Sequence, residues 1–251
     1  MNLELKGKSV LVTGGSKGIG QAIAYAFLDE GAKVGIVGRT LSDLESAQKD
    51  GIEIFQGDVT DEHDRKRLMK DFLEKFGTID VLVNNAGGSN GSTVMETSME
   101  QFEEAMHLNF LSAVDLSKQA AEVMSGNADG GAIINISSIF GRESGGKPTY
   151  NASKAAMISF TKSFGDEMIS KGVRVNGVAP GSILHETGNW KKRLEQDPDQ
   201  INAFVEEHIS AGRFGTVEEV ANVAVFLASK RASWVVGSTL NVDGGQSYSN
   251  F

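Results

Sequence analysis

Seven short runs of aliphatic and β-branched residues recur along the chain, separated by stretches of helical periodicity. The runs are Ser9-Val10-Leu11-Val12-Thr13, then 33–37, 52–55, 80–83, 132–136, 173–178 and 239–242, and helical patterns occupy about 18–30, 41–48, 61–76, 99–124 and 217–228. A strand that is apolar at consecutive positions offers no face to water, so its sheet is covered on both sides. Strands alternating with helices become parallel neighbours joined by right-handed crossovers. The fold class expected is therefore α/β: a doubly wound parallel seven-stranded sheet with helices on both faces. No repeat, linker or low-complexity stretch divides residues 1–251, so one domain is expected.

Composition narrows the function. The net charge of −9 argues against a general attraction to nucleic acid or to an anionic membrane. The absence of cysteine excludes disulfides, thiolate metal sites and a cysteine nucleophile. His63, His107, His185 and His208 have no ligand spacing, and no metal is expected. Met1–Lys6 lacks the apolar run of a secretory signal, and no stretch approaches the roughly 20 apolar residues of a membrane span. A cytoplasmic protein is expected.

The first strand runs directly into Thr13-Gly14-Gly15-Ser16-Lys17-Gly18-Ile19-Gly20 and then into an apolar helix. Glycines let a backbone turn tightly and approach a pyrophosphate seated at the positive end of a helix, as in Rossmann-like folds. The spacing of Gly14, Gly18 and Gly20 is not the G-x-G-x-x-G fingerprint, so the order strand, cluster, helix carries the argument. Farther on, Tyr150 and Lys154 stand four residues apart, on one face if the segment is helical. A free phenol, with a pKa of about 10, is scarcely ionised at pH 7. A nearby ammonium lowers that value and makes an acid/base that works near neutrality. Alone, the pair also reads as a half-buried tyrosine beside a solvated lysine.

With Asn84-Asn85-Ala86-Gly87 after the fourth strand and Ser137-Ser138 after the fifth, the whole set resembles the short-chain dehydrogenase/reductase family in its compact single-domain branch, from Lys8 to Gly245. The resemblance implies that Gly14, Ser16, Gly18, Ile19 and Gly20 wrap the pyrophosphate, Asp58 and the Val59 backbone meet adenine, and Asn85 and Ala86 line the adenosine ribose. Asn84 would join central strands, and Pro180, Gly181 and Ile183 would meet the nicotinamide. It implies Tyr150 as acid/base, Lys154 as its pKa-lowering neighbour and ribose ligand, Ser138 on the substrate oxygen, and Asn109 holding a water that leads from Lys154 to solvent. Ser138 precedes Tyr150 by twelve positions, one fewer than is usual in the family; Ser137 restores the count but is the less fitting member of the pair. His185 stands where a threonine is usual; it could touch substrate, but a solvent-facing lid histidine is the simpler expectation.

The second strand ends in Gly38, with no acid to hold a ribose 2′-hydroxyl, and Arg39 follows. Guanidinium pairs with phosphate in a forked geometry. Lys17 adds a second charge and Asp43, already in the next helix, is discounted, so NADP(H) is favoured over NAD(H). The polar stretch 182–216 breaks the alternation after the sixth strand and is expected to form a substrate lid at about 185–212. Segments 88–94 and 142–149 would complete the pocket.

The substrate expected is a small carbonyl compound or secondary alcohol. A 3-oxoacyl acyl-carrier-protein reductase is the alternative, set back because 127–131, before the fifth strand, carries an acid and no base. A non-catalytic dinucleotide-binding regulator or scaffold is a third reading; it would tolerate loss of Tyr150, which this chain retains. The resemblance also implies a homotetramer, pairing through the helices near 99–124 and 150–171 and through the last strand.

Overall fold

The computed structural model describes residues 2–250. All seven expected strands form: β1 (Ser9–Thr13), β2 (Lys33–Gly38), β3 (Ile52–Gln56), β4 (Val81–Asn84), β5 (Gly131–Ile136), β6 (Val173–Pro180) and β7 (Thr239–Val242). They make one sheet in the order β3-β2-β1-β4-β5-β6-β7, parallel throughout. Successive side chains of a strand point to opposite faces, and β1 shows how this divides the core. Val10 and Val12 join the helices α1 (Gly18–Asp29) and α9 (Val217–Ala228), while Leu11 joins α3 (Glu62–Phe76), α5 (Ser112–Met124) and α6 (Pro148–Met168). The short α2 (Leu41–Ala47) packs with α1, and α4 (Met99–Met106) runs through a π-helical turn, His107–Leu111, into α5.

The order reverses between β1 and β4, and loops at the carboxyl ends of those strands diverge to leave a crevice. Asn84, buried at the end of β4, donates from Nδ2 to Asn135 Oδ1 and to Ser117 Oγ at 2.9 Å each, so it ties β4 to β5 and to α5 as expected. Over the crevice, α7 (Asn189–Gln196) and α8 (Pro198–His208) fold as a helical pair. Trp190 stacks on Phe204 with ring centroids 4.8 Å apart and lies 5.2 Å from Phe214. The pair springs from a narrow base, where Leu184 N donates to Gly215 O and Gly215 N to Ser182 O, both at 3.0 Å.

Helix ends show which termini are closed and which are open. In α9, Thr216 and Glu219 form a reciprocal capping box at the start. At its other end Arg174 donates to the carbonyls of Leu227, Ala228 and Ser229. In α3, the Asp61 side chain accepts from Asp64 N. The N-terminus of α1 has no side-chain cap and no acid in its first turn. Its free N–H groups and the positive end of its dipole face the crevice.

Candidate active site

A cleft of about 1410 Å³ runs along the carboxyl edge of the sheet. Of the residues singled out from sequence, it is lined by Gly14, Lys17, Gly18, Ile19, Gly20, Asn85, Ala86, Ser138, Tyr150, Lys154, Pro180, Gly181 and Ile183. Its rim comes from 88–94, 145–148 and the two lid helices, the segments expected to shape the substrate pocket.

At one end lies the glycine turn. Asn85 braces it, donating from Nδ2 to Thr13 O at 3.0 Å and Gly14 O at 3.1 Å, while Thr13 Oγ1 accepts from the N–H groups of Asn85 and Ala86 at 3.0 Å. Gly18 opens α1 at φ +54°, a left-handed conformation that side chains disfavour.

At the inner end, three side chains converge. Tyr150 and Lys154 lie one turn apart on α6, with Nζ 5.5 Å from the phenol ring centroid. Lys154 is 3% exposed, and its hydrogen bond is to Ile136 O at 2.7 Å. Burial drives its pKa down to about 8. Tyr150 moves the opposite way to expectation: burial raises its pKa, and only the hydrogen bond with the Ser138 side chain acts to lower it. The ammonium is itself a strained cation here, so lowering of the phenol's pKa by Lys154 is not seen in the protein alone.

The two serines separate cleanly. Ser137 Oγ donates to Lys154 O at 3.0 Å and is committed to the backbone of α6. Both line the cleft, but Ser138 faces Tyr150, and its Oγ also accepts from Phe140 N at 3.2 Å. Asn109 stands behind the wall in the π-helical turn. Its Nδ2 donates to Gly88 O and Ala105 O, and its Oδ1 accepts from Gly88 N, all at 2.9 Å. A Cβ on Gly87 would come within 2.7 Å of Asn109 Oδ1 and 3.4 Å of Lys154 Nζ, so a glycine is needed where these two meet. Single π-turns inside helices often mark functional sites.

The outer end departs from the sequence reading. Ser16, beside Gly38, is not part of the cleft wall; Arg39 and Asp58 line a separate open hollow of about 590 Å³. The two basic residues do have competing acids. Lys17 Nζ lies 2.6 Å from Asp43 Oδ2, because the first turn of α2 brings Asp43 back across the glycine turn. Arg39 Nη1 stands 4.0 Å from Asp58 Oδ2. Asp58 also accepts from Thr60 N and Oγ1, and Val59 O accepts from Arg65.

Two further expectations change. His185 does not face solvent: its ring is half-buried against the glycine turn. Segment 127–131 lies at the amino edge of the sheet, where Asp129 pairs with Lys8 and Lys230, so its charge says nothing about the cleft mouth. Lys147, Lys192 and Arg193 stand there instead.

Sequence reasoning missed Gln246. It is buried, and its Oε1 accepts from Ser182 N at 2.7 Å, fixing the segment after Pro180-Gly181. The same C-terminal turn accepts Ala211 N at Gly244 O, 2.9 Å, below the lid. The clue was in the sequence: Gly244 and Gly245, both at positive φ, turn the chain back under the site.

A family profile described as enoyl-(acyl carrier protein) reductase matches residues 14–247. A 3-oxoacyl acyl-carrier-protein reductase of Vibrio cholerae is 39% identical over 254 residues, covering 98% of each chain. A sorbitol dehydrogenase of Cereibacter sphaeroides is 33% identical, covering 97% of this chain and 98% of its own. The crystal structure of L-sorbose reductase from Gluconobacter frateurii, complexed with NADPH and L-sorbose, superposes with a TM-score of 0.93 at 34% identity, covering 99% of this chain and all of that one. The chain belongs to the short-chain dehydrogenase/reductase family. It is an oxidoreductase acting on alcohol or carbonyl groups.

The site residues suit a nicotinamide dinucleotide. An uncapped helix start faces one end of the cleft, and at the other a buried ammonium has one protein acceptor and donors to spare.

Proposed function

We propose that the protein is an NADP(H)-dependent oxidoreductase that interconverts a carbonyl and a secondary alcohol on a small substrate. The observation that carries this reading is the convergence of Ser138, Tyr150 and Lys154 at the inner end of a cleft that begins at an open helix terminus. The bound dinucleotide would supply or accept the hydride.

The chain's own groups would handle the oxygen. In reduction, the Tyr150 hydroxyl gives its proton to the carbonyl oxygen as that oxygen gains charge, and the Ser138 hydroxyl donates a hydrogen bond to it. Burial keeps the phenol protonated in the protein alone, and the Lys154 ammonium together with a bound nicotinamide would have to lower its pKa for it to act as an acid near neutrality. Lys154, through N–H groups not used by Ile136 O, would bind ribose hydroxyls, and Asn109 would hold the backbone around it. The 185–212 segment, roofing the cleft with Trp190 and Phe204, would act as the substrate lid.

NADP(H) is favoured because β2 ends without a carboxylate and Arg39 is largely free at its end. The NADPH in the sorbose reductase complex agrees. Small polyols and ketoses are suggested by the sorbitol and sorbose enzymes. An acyl-carrier-protein substrate is the second reading, favoured by Lys147, Lys192 and Arg193 at the mouth, where an acidic carrier would dock. A homotetramer is proposed from apolar side chains left exposed on the expected contact elements, Leu111, Ile169 and Leu240; light scattering tests it.

The decisive test is Tyr150→Phe. Turnover of a ketose and alcohol panel should fall by roughly 10²–10⁴-fold while NADPH affinity stays within a factor of about two. Full turnover in that variant sinks the catalytic reading. The panel, run with NADPH and NADH in parallel and with a 3-oxoacyl thioester included, separates the substrate classes.

A further inference from the structure

The chain carries 33 acidic and 24 basic residues, yet the cleft reverses that balance. Lys17, Lys147, Lys154, Lys192 and Arg193 line it, and among the described residues of its wall none is an aspartate or a glutamate. Lys154 is buried at the reacting centre, and Lys17 is paired with Asp43. Lys147, Lys192 and Arg193 remain, and none of them forms an ion pair among the described residues. Their neighbour Lys191, which does not line the cleft, is paired with Glu186 and Glu195 at 3.7 and 3.8 Å. The nearby acids of α7 are thus spent away from the cleft.

The three free cations stand at the substrate end. Lys147 immediately precedes α6, and its Nζ donates to Gly91 O at 2.5 Å, tying the wall at 145–148 to the wall at 88–94. An ammonium has three donors, so two stay available. On the lid, the Arg193 guanidinium lies 5.1 Å from the ring centroid of Trp190, which stacks on Phe204 in the roof. Stacking on an aromatic face holds the guanidinium plane and leaves its edge donors free for an oxyanion. Lys192 follows the same turn of α7 into the cleft. Ser89, Asn189 and Gln196 add uncharged partners for hydroxyl groups. Unneutralised charge of one sign in a cleft draws in a ligand of the other.

We propose that the substrate is anionic: a sugar-sized carbonyl compound or secondary alcohol carrying a carboxylate or phosphate that Lys147, Lys192 and Arg193 hold. The proposal rests on the oxidoreductase reading of the cleft and names its substrate class. The anionic group does not react. The carbonyl carbon takes the hydride from the reduced dinucleotide and its oxygen takes the proton from Tyr150; oxidation reverses both transfers. An acidic carrier protein would draw on the same charges from outside the mouth, and the test separates the two.

Equilibrium binding tests it without turnover. Sorbitol, gluconate (a carboxylate at one end) and sorbitol 6-phosphate are titrated into protein saturated with NADP+ or NAD+, whichever binds more tightly. The proteins are wild type, Lys147→Gln, the double variant Lys192→Gln/Arg193→Gln, and Arg193→Lys. In wild type at least one anion should bind roughly ten- to a hundredfold more tightly than sorbitol, and added salt should shrink the gap. The tighter anion identifies the group. The double variant should lose about tenfold of that preference and Lys147→Gln about threefold. Arg193→Lys, which keeps the charge without the fork, should lose less than the double variant. Where oxidation of the anion is followed, the loss should fall on KM and not on kcat. Affinity for NADPH should stay within a factor of about two in every variant.

Wild type that prefers neither anion to sorbitol overturns the proposal and leaves the oxidoreductase reading standing. So does a preference that survives in the double variant. A loss of dinucleotide affinity as large as the loss of anion affinity would assign the cations to the cofactor. Variants that lose turnover of a 3-oxoacyl carrier protein, while small anions gain nothing over sorbitol in wild type, would assign them to carrier docking. Wild type that binds neither dinucleotide overturns the proposal together with the reading beneath it.

Discussion

At the inner end of the cleft, Lys154 is 3% exposed and donates to a backbone carbonyl; at the outer end, the side chains of Lys17 and Arg39 are 48% and 73% exposed, each beside a carboxylate. The inner cation is held by the fold at a cost in desolvation, with no acid to repay it. The outer cations stand in water, where an ion pair contributes little and is readily exchanged for another anion. The contrast separates two tasks. On the proposed function, a group that takes part in chemistry must be placed once and kept dry, whereas a group that sorts one cofactor from another needs only to be available.

The largest effect should follow from Lys154→Met. The folded protein holds the ammonium at about 8 against an ordinary 10.5, so between those values the unfolded chain binds the extra proton. Stability therefore rises with pH across that window, and below about 8 the fold bears the whole penalty, roughly 3 kcal/mol. Methionine removes the charge and leaves Ile136 O without its donor, which takes back about 1 kcal/mol or more. At pH 7.5 the variant should be roughly 1–3 kcal/mol more stable to urea than wild type, and by pH 9.5 the gap should shrink. Tyr150, its pKa raised, contributes the opposite slope, but only above 10. Turnover should fall at least about a hundredfold. A variant less stable at both pH values would show that the buried ammonium is a stabilising partner, and the contrast between the two ends would collapse.

The inner end was largely legible in the sequence because its parts are set by one helix. Tyr150 and Lys154 need only a helix to share a face, and α6 supplies it. Ser138 was harder, because a shortened loop moves it by one position. Hydrogen bonding distinguishes the pair: Ser137 Oγ donates to Lys154 O, whereas Ser138 Oγ faces Tyr150, which favours Ser138 on the proposed reading.

The outer end was less legible. Asp43 was set aside as belonging to the next helix, yet its first turn folds back onto Lys17, a contact fixed by how α2 packs against β2 and not by sequence distance. The 127–131 loop was misread because only topology says which edge of the sheet a loop occupies. Gln246 and His185 act across the chain, on Ser182 and Gly18; Gly244 and Gly245 signal that the chain turns there, but no local pattern names the partner it meets.

The smaller effects belong to the outer end, and two substitutions there should act with opposite sign. Arg39→Ala removes a side chain whose one acidic neighbour is 4.0 Å away, so it is available to a 2′-phosphate; NADPH should bind roughly tenfold more weakly, with NADH nearly unaffected. Asp43→Asn removes the carboxylate that holds Lys17 at 2.6 Å and would repel a phosphate nearby. Because exposed charges interact weakly, NADPH should bind only about two- to fivefold more tightly, and added salt should erase the gain. The measurement is dissociation constants for both cofactors at low and high ionic strength. If Asp43→Asn instead weakened NADH alone, Asp43 would be a ribose ligand and the outer end would be built for NAD(H).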